Sequence, residues 1–282
     1  MLDVAAALLV LFVLISAAVS DWRKREASDI HWILIAGGGA VLYAYRLFDA
    51  DLTAAAVAAS VSMVLMVIDL VWDRESASTD LALYISILVS AGITVYLLKD
   101  TDRLWEYVSI PAMYILMNVL YYTGIVKGGA DAKAVISIAF VFPSYPDLGG
   151  LPFIPVPSGT VSQFIVPAFS VFFVAAVLTI LMAIPYLMIN LIRGDREFPY
   201  MLAGFRMDLD DVDSSHVWPM EDVVSGEQFI SISGFDDPDV PERLRNAGRM
   251  RVWVTPIIPF LMPIAVAYAI VIFLGNPLFA FI

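Results

Sequence analysis

The chain contains no cysteine and only two histidines, His31 and His216, among its 282 residues. Disulfide bonds and thiolate metal sites are therefore excluded, and a histidine-rich metal centre is not expected. Basic residues are the minority charge, with 16 lysines and arginines against 28 acidic residues and a formal net charge of −12. We do not expect so acidic a chain to bind nucleic acid, because the phosphates would repel it. The chemistry that remains open is that of carboxylates.

Apolar residues, by contrast, are abundant. They make up 60% of the chain, whereas soluble domains hold about 45–50%, so the composition predicts a membrane protein. A membrane-spanning helix needs roughly 20 mostly apolar residues, and eight apolar runs are predicted to be spans. These runs are residues 2–20, 30–48, 53–72, 81–98, 105–124, 130–143, 163–192 and 255–281. The first run has no basic residues before it, so we predict a retained membrane helix rather than a signal peptide.

The placement of lysine and arginine predicts the orientation in the cell membrane. With the N-terminus outside, 13 of the 16 basic residues fall in cytoplasmic segments, and only Arg46, Lys99 and Arg103 fall outside. We therefore predict a multi-pass protein embedded in the lipid bilayer of the cell membrane, with its N-terminus on the outer side.

One long polar segment interrupts the apolar runs. It covers residues 193–253, and the alternation in "EQFISIS" predicts a short strand within it. The predicted fold is an all-α polytopic membrane protein of about eight transmembrane helices with a small cytoplasmic α+β insertion. The predicted domains are a membrane bundle at 1–192, an acidic cytoplasmic module at 193–253 and a C-terminal transmembrane helix at 254–282. Pro256, Pro259 and Pro263 predict a kinked or partly unwound entry to that last helix.

Two aspartates occupy corresponding places in this topology. Asp21 follows the first predicted span, Asp131 begins the sixth, and four complete spans lie between them. An even number of crossings returns the chain to the same side, so both carboxylates are predicted at the cytoplasmic mouth of the bundle. Two close carboxyl groups can share one proton, so that one takes a proton from water while the other polarises a peptide carbonyl. Such a pair could hydrolyse peptide bonds, and we expect neither a metal nor a cofactor.

Four neighbouring residues are candidates for substrate contacts. Gly128 and Gly129 precede Asp131, and glycine would let a substrate strand approach the start of that helix. Glu26 and Asp29 follow Asp21 and could receive the basic side chains of a cationic peptide.

Each of these features also has a simpler interpretation. Aspartates at helix ends can be interface anchors, glycines can form turns, and Glu26 and Asp29 can cap the second helix. A proton- or ion-coupled transporter would also use paired acidic residues, usually deeper in the membrane.

Three segments carry a resemblance to a known family. They are "SDWRKREASDIHW" around Asp21, "GGADAKAVISIAFVFPSYP" around Asp131 and "RVWVTPIIPFLMPIAVAY" near the C-terminus. Together they resemble the type IV prepilin peptidases and archaeal preflagellin peptidases, the GxGD-type membrane aspartyl proteases. Presenilin-like intramembrane proteases share the GxGD motif, but this chain has Ser20 before Asp21 and "TPIIPF" where their Pro-Ala-Leu motif would stand.

The resemblance implies a function for the paired aspartates. Asp21 and Asp131 would be the catalytic pair, and Gly128 and Gly129 would shape the substrate's approach. The implied reaction is removal of a short basic leader peptide from prepilin- or preflagellin-like precursors at the cytoplasmic face. The chain departs from the family in having Ala130 at the third motif position and 110 residues between the aspartates. Without cysteines it has no counterpart of the bacterial enzymes' cysteine-rich cytoplasmic domain. We therefore expect peptidase activity without the methyltransferase activity that accompanies it in those enzymes.

Overall fold

The structure, a computed structural model, describes residues 1–157, 159–212, 214–224 and 226–281. The chain forms two compact units. Unit 1 consists of residues 1–176 together with the segment that begins at Pro259, and unit 2 consists of Val177–Ile258. The domain boundaries predicted at residues 192 and 253, which follow hydropathy rather than packing, remain predictions.

The elements are named in chain order. The first helices are α1 (Leu2–Lys24), α2 (Ile30–Asp49, with a π turn at Ile33–Gly37), α3 (Thr53–Val71), α4 (Ala77–Leu98), α5 (Leu104–Tyr122), α6 (Gly129–Val141), α7 (Thr160–Phe164) and α8 (Pro167–Leu181). There follow α9 (Ala183–Arg193), α10 (Tyr200–Ala203), β1 (Phe205–Asp208), α11 (Leu209–Val212), β2 (Val217–Pro219), β3 (Glu221–Val224), β4 (Glu227–Ile230), α12 (Val240–Asn246), β5 (Arg251–Pro256) and α13 (Leu261–Leu274), then a 3₁₀ turn (Pro277–Phe281).

Several helices have the length and surface of membrane spans. Among the described residues, five segments are long and apolar enough to cross a bilayer: Leu2–Lys24, Ile30–Asp49, Thr53–Val71, Ala77–Leu98 and Pro167–Arg193. Large apolar side chains such as Phe12, Val41 and Leu88 point outward from them and are more than 70% exposed, as a lipid-facing surface requires. The chain is thus mostly helical and consistent with a multi-pass membrane protein. The count of eight spans is not confirmed, and the orientation remains a prediction.

The other three predicted spans are not among the segments that are long and apolar enough to cross a bilayer. Residues 105–124 form α5, whose hydropathy is lowered by Glu106 and Asn118. Residues 130–143 form α6, which is only 13 residues long. The segment 255–281 does not begin as a helix, because β5 extends through Pro256 and α13 begins only at Leu261. Proline lacks the backbone N–H that a helix needs, so the entry is irregular where the sequence predicted it.

Helix α6 is a central core helix of unit 1. It packs against α2, α5 and α13, and every residue from Ala134 to Val141 is buried. An apolar helix of 10–14 residues is typical of a buried core rather than of a span. Gly39 of α2 permits the close contact, because a Cβ atom there would lie 2.6 Å from the carbonyl carbon of Phe140. This packing fixes the position of the first turn of α6, which carries Asp131.

Unit 2 contains the strands. β1, β5 and β2 form an antiparallel sheet in that order, and β3 pairs with β4 in a hairpin. The strand predicted from "EQFISIS" is confirmed, because β4 covers Glu227–Ile230. The sheet packs on α11 and α12 around a small apolar core of Leu209, Val212, Val240, Leu244, Val252 and Val254.

Candidate active site

Three loops meet at one end of unit 1. They are residues 25–29 between α1 and α2, residues 72–76 between α3 and α4, and residues 123–128 between α5 and α6. Two cavities lie at this end, and residues from all three loops line the larger one. Five residues line both cavities: Ala27, Asp29, Asp73, Gly129 and Ala130. The two cavities therefore adjoin.

The larger cavity contains both candidate catalytic residues and is called the aspartate cavity. Its volume is about 890 Å³, and Asp21 and Asp131 both line it. The two carboxyl groups face the same open space, and no described residue donates a hydrogen bond to either of them. The structure thus brings the two predicted aspartates together and leaves their oxygens available to water or substrate. Their catalytic role remains a prediction.

The end of α1 positions Asp21. Arg25 adopts a left-handed backbone conformation with φ 60°, which stops the helix, and its N–H donates to the carbonyl of Asp21 at 2.9 Å. The hydroxyl of Ser20 then donates to the carbonyl of Glu26 at 2.9 Å. These two contacts turn the chain back beside α1, so that Asp21 lies in the cavity wall next to the loop.

The start of α6 positions Asp131. The N–H groups of Asp131 and Ala132 donate to the carbonyl of Gly128 at 3.2 and 3.3 Å. The carboxylate lies directly over Gly128, because a Cβ atom built there would be only 2.1 Å from Oδ2 of Asp131. Gly129 is different, since a Cβ atom there would meet nothing closer than the Tyr121 hydroxyl at 3.6 Å. Of the two glycines, only Gly128 is required by the position of the carboxylate.

An ion pair ties the two aspartate-bearing segments to each other. Lys133 Nζ donates to Asp29 Oδ1 at 2.6 Å, although the two residues are 104 positions apart. Asp29 precedes α2 but makes no side-chain cap hydrogen bond there, so the capping alternative is wrong for this residue. A substrate contact for Asp29 remains a prediction, with Lys133 already bound to it. Glu26 is exposed and lines the aspartate cavity.

The smaller cavity, of about 380 Å³, contains a second ion network. Arg74 binds Asp69 through Nη2 and Asp80 through Nε, and the Tyr114 hydroxyl donates to Asp69. Sequence reasoning singled out neither Arg74 nor its neighbour Asp73. The sequence could have indicated them. Both residues follow the third predicted span, and two spans separate them from Asp21, so they are predicted on the same side of the membrane as Asp21 and Asp131.

Comparisons with known proteins bear on this arrangement. Residues 196–276 match the family model of the archaeal peptidase A24 C-terminus, type II. This match supports the family predicted from the sequence, that of the archaeal prepilin and preflagellin peptidases. It covers most of unit 2 and α13, whereas Asp21 and Asp131 lie outside it.

A relative is similar over almost its whole length. An uncharacterized protein of Methanocaldococcus jannaschii is 23% identical over 271 residues, which cover 94% of this chain and 90% of that protein. The similarity therefore includes the helical part of the chain as well as the region matched by the family model.

Proposed function

We propose that this protein is a membrane aspartyl endopeptidase that removes the short basic leader from prepilin- or preflagellin-like precursors at the cytoplasmic face. The observation that carries the proposal is the aspartate cavity. Two carboxylates from the ends of different helices line one open space and accept no hydrogen bond from a described residue. The peptidase family match supports the reaction class.

The chemistry follows from the pairing. One carboxylate is ionised and takes a proton from a water molecule, whose oxygen attacks the carbonyl carbon of the scissile peptide bond. The other carboxyl group is protonated and donates its proton to the carbonyl oxygen, which gives a tetrahedral diol. The C–N bond then breaks as the amide nitrogen receives a proton from the pair and a hydroxyl of the diol returns one, so that the two carboxyl groups again share one proton.

The surroundings suit a peptide substrate. An opening of about 890 Å³ can hold several residues of an extended chain, because a ligand pocket of about 300–1,000 Å³ buries most of a drug-sized molecule. The leader of such precursors is followed by an apolar helix, which the lipid bilayer around unit 1 would accommodate.

A cleavage assay tests the proposal. Purified full-length protein in detergent is incubated with a peptide that has a basic leader before an apolar helix, and the products are measured by mass spectrometry. We expect one internal cut in the wild type, unaffected by a metal chelator. The variants Asp21→Asn and Asp131→Asn should each lower kcat by about 10³-fold or more, because each removes a proton-transferring group.

The matched control is Asp100→Asn, whose side chain is 86% exposed and lines neither cavity. Full activity in Asp21→Asn or in Asp131→Asn would rule out the paired mechanism. Aspartate-dependent ion flux in liposomes without any cleavage would support a transporter instead.

A further inference from the structure

The smaller cavity has a charge that its own residues do not balance. Four carboxylates and two cations line it: Asp29, Asp69, Asp73, Asp80, Arg74 and Lys133. Lys133 pairs with Asp29, and Arg74 pairs with both Asp69 and Asp80. Among the described residues, Asp73 is therefore the carboxylate in this wall for which no cation partner is recorded. It is exposed, lies in the loop between α3 and α4, and lines the aspartate cavity as well.

The walls around Asp73 are aromatic. Trp72, Tyr84, Tyr121 and Tyr122 line the same cavity, and the guanidinium carbon of Arg74 already lies 5.8 Å and 5.9 Å from the ring centroids of Trp72 and Tyr84. Aromatic faces attract cations, above all when a carboxylate is nearby. The cavity thus combines a free negative charge with surfaces that suit the stem and head of a lysine or arginine side chain.

Arg74 supplies a second, independent indication of a ligand. Its side chain is only 7% exposed, and Nε and Nη2 bind Asp80 and Asp69, but Nη1 finds no acceptor among the described residues. A buried donor without an acceptor is unfavourable. A backbone carbonyl of a bound peptide would offer the missing acceptor in a wall of this cavity.

We infer that Asp73 receives a lysine or arginine side chain of the peptide substrate, in a subsite that adjoins the aspartate cavity. The inference rests on the proposed function for the cut itself and adds the residue that selects the basic substrate. It also changes the role expected of Asp29. Lys133 already neutralises that carboxylate, so Asp73 takes the contact with the substrate cation.

Charge exchange between enzyme and peptide tests the inference. Three labelled peptides are used that are identical except for a pair of lysines, glutamines or glutamates in the leader. Their binding to the full-length Asp131→Asn protein is measured by fluorescence anisotropy, so that the readout does not require cleavage. We expect the lysine peptide to bind about five- to tenfold more tightly than the glutamine peptide.

Two substitutions at Asp73 are then compared with a neighbour in the same loop. Asp73→Asn should abolish the preference for lysine, and Asp73→Lys should reverse it towards the glutamate peptide. Glu75→Lys is the matched control, because Glu75 is exposed and lines neither cavity. It should leave the preference unchanged, which separates a local contact from a general effect of surface charge.

The outcomes separate this inference from the proposed function. If no peptide binds, if lysine preference persists in both Asp73 variants, or if Glu75→Lys acts like Asp73→Lys, the inference is wrong. If the wild type cleaves the peptide but the preference for the lysine peptide does not depend on Asp73, the inference fails and the proposed peptidase function stands. If the preference follows Asp73 but no peptide is cut, the subsite stands and the proposed function fails.

Discussion

Two pairs of carboxylates, one pair in each unit, have opposite environments. In unit 2, Glu221 and Asp222 are 7% and 5% exposed, and the carboxylate of each accepts hydrogen bonds from the surrounding fold. Glu221 accepts hydrogen bonds from the Trp253 N–H at 2.9 Å and from Gln228 at 3.2 Å, while Asp222 accepts two from Arg243 at 2.9 and 2.8 Å. In unit 1, Asp21 and Asp131 face a cavity, and no described residue donates a hydrogen bond to them.

This contrast separates carboxylates that the fold itself hydrogen-bonds from carboxylates that face an open cavity. A buried carboxylate must be paired or hydrogen-bonded, or its burial costs several kcal/mol. The unit 2 acids satisfy that requirement within the fold. The unit 1 pair is only partly buried and lines the aspartate cavity, so water or a substrate can contact these carboxyl groups. The family match lies mostly in unit 2, so the region that reveals the kinship differs from the region that we propose to do the chemistry.

The sharpest test of this contrast in unit 1 is Gly128→Ala. The new methyl group would occupy the space of the Asp131 carboxylate, 2.1 Å from Oδ2, and would displace it. Since a displacement of about 1 Å can cost about 100-fold in rate, we expect a loss of that size in kcat/KM with an unchanged melting temperature.

Gly129→Ala is the control for that prediction, because its methyl group has room beside Tyr121 at 3.6 Å. It should retain most of the activity. Equal losses in the two variants would mean that the carboxylate's position over Gly128 does not matter for cleavage.

The Asp29–Lys133 pair should have a smaller effect. It holds the loop after α1 against α6 at 2.6 Å, so the single variants Asp29→Lys and Lys133→Asp should each lower kcat/KM by about tenfold, through misplacement of the two aspartates. The double variant restores an ion pair of reversed polarity and should recover part of the activity. If the double variant is as poor as the product of the two single effects, the pair does not position the site.

In unit 2, removal of a partner should affect stability and leave cleavage chemistry intact. Arg243→Ala leaves the buried Asp222 without its main donor, which should lower the local stability of unit 2. Hydrogen exchange of the β3 and α12 amides in the full-length protein measures this loss. A substitution in the exposed Asp210–Arg245 pair, 3.6 Å apart, should change exchange far less.

The same carboxylate predicts how unit 2 responds to acid. Hydrogen bonds from Arg243 hold the pKa of Asp222 below its ordinary value. Because the folded pKa is the lower one, the pair stabilises unit 2 above the ordinary aspartate pKa of about 3.9 and loses that contribution as the pH falls through the folded value. The protection factors of wild-type amides, which allow for the intrinsic pH dependence of exchange, should therefore fall in that acidic range, and those of Arg243→Ala should depend less on pH. An identical pH dependence in both proteins would contradict the assignment.

The sequence predicted that Asp21 and Asp131 lie near each other, as the shared cavity shows, better than it predicted the number of spans. Hydropathy and an even count of crossings were enough to expect Asp21 and Asp131 at the same end, because parity does not depend on where each helix begins. The number of spans was harder to predict. The apolar sequence of a helix as short as α6 does not show whether lipid or protein surrounds it. Only packing shows that α6 is buried from Ala134 to Val141.

Other features lay beyond sequence reasoning for physical reasons. The Asp29–Lys133 contact joins residues 104 positions apart, and no local pattern encodes such a distance. Val254 belongs to the core of unit 2, but the apolar residues that follow it led to its prediction as the first residue of the C-terminal transmembrane segment. Gly128 and Gly129 look equivalent in sequence and differ only in what a side chain would meet.

Proximity of the two aspartates is the central claim, and the absence of cysteine makes it directly measurable. The variant Asp21→Cys/Asp131→Cys contains the only two thiols in the chain, so a short bifunctional thiol reagent reports their separation without background. Asp21→Cys/Asp100→Cys is the control, because the 22 residues of α4 place Asp100 about 30 Å from the loop at 72–76. We predict that the first variant is cross-linked within the chain and the second is not. Failure of the 21/131 pair to cross-link in the folded protein would contradict the account.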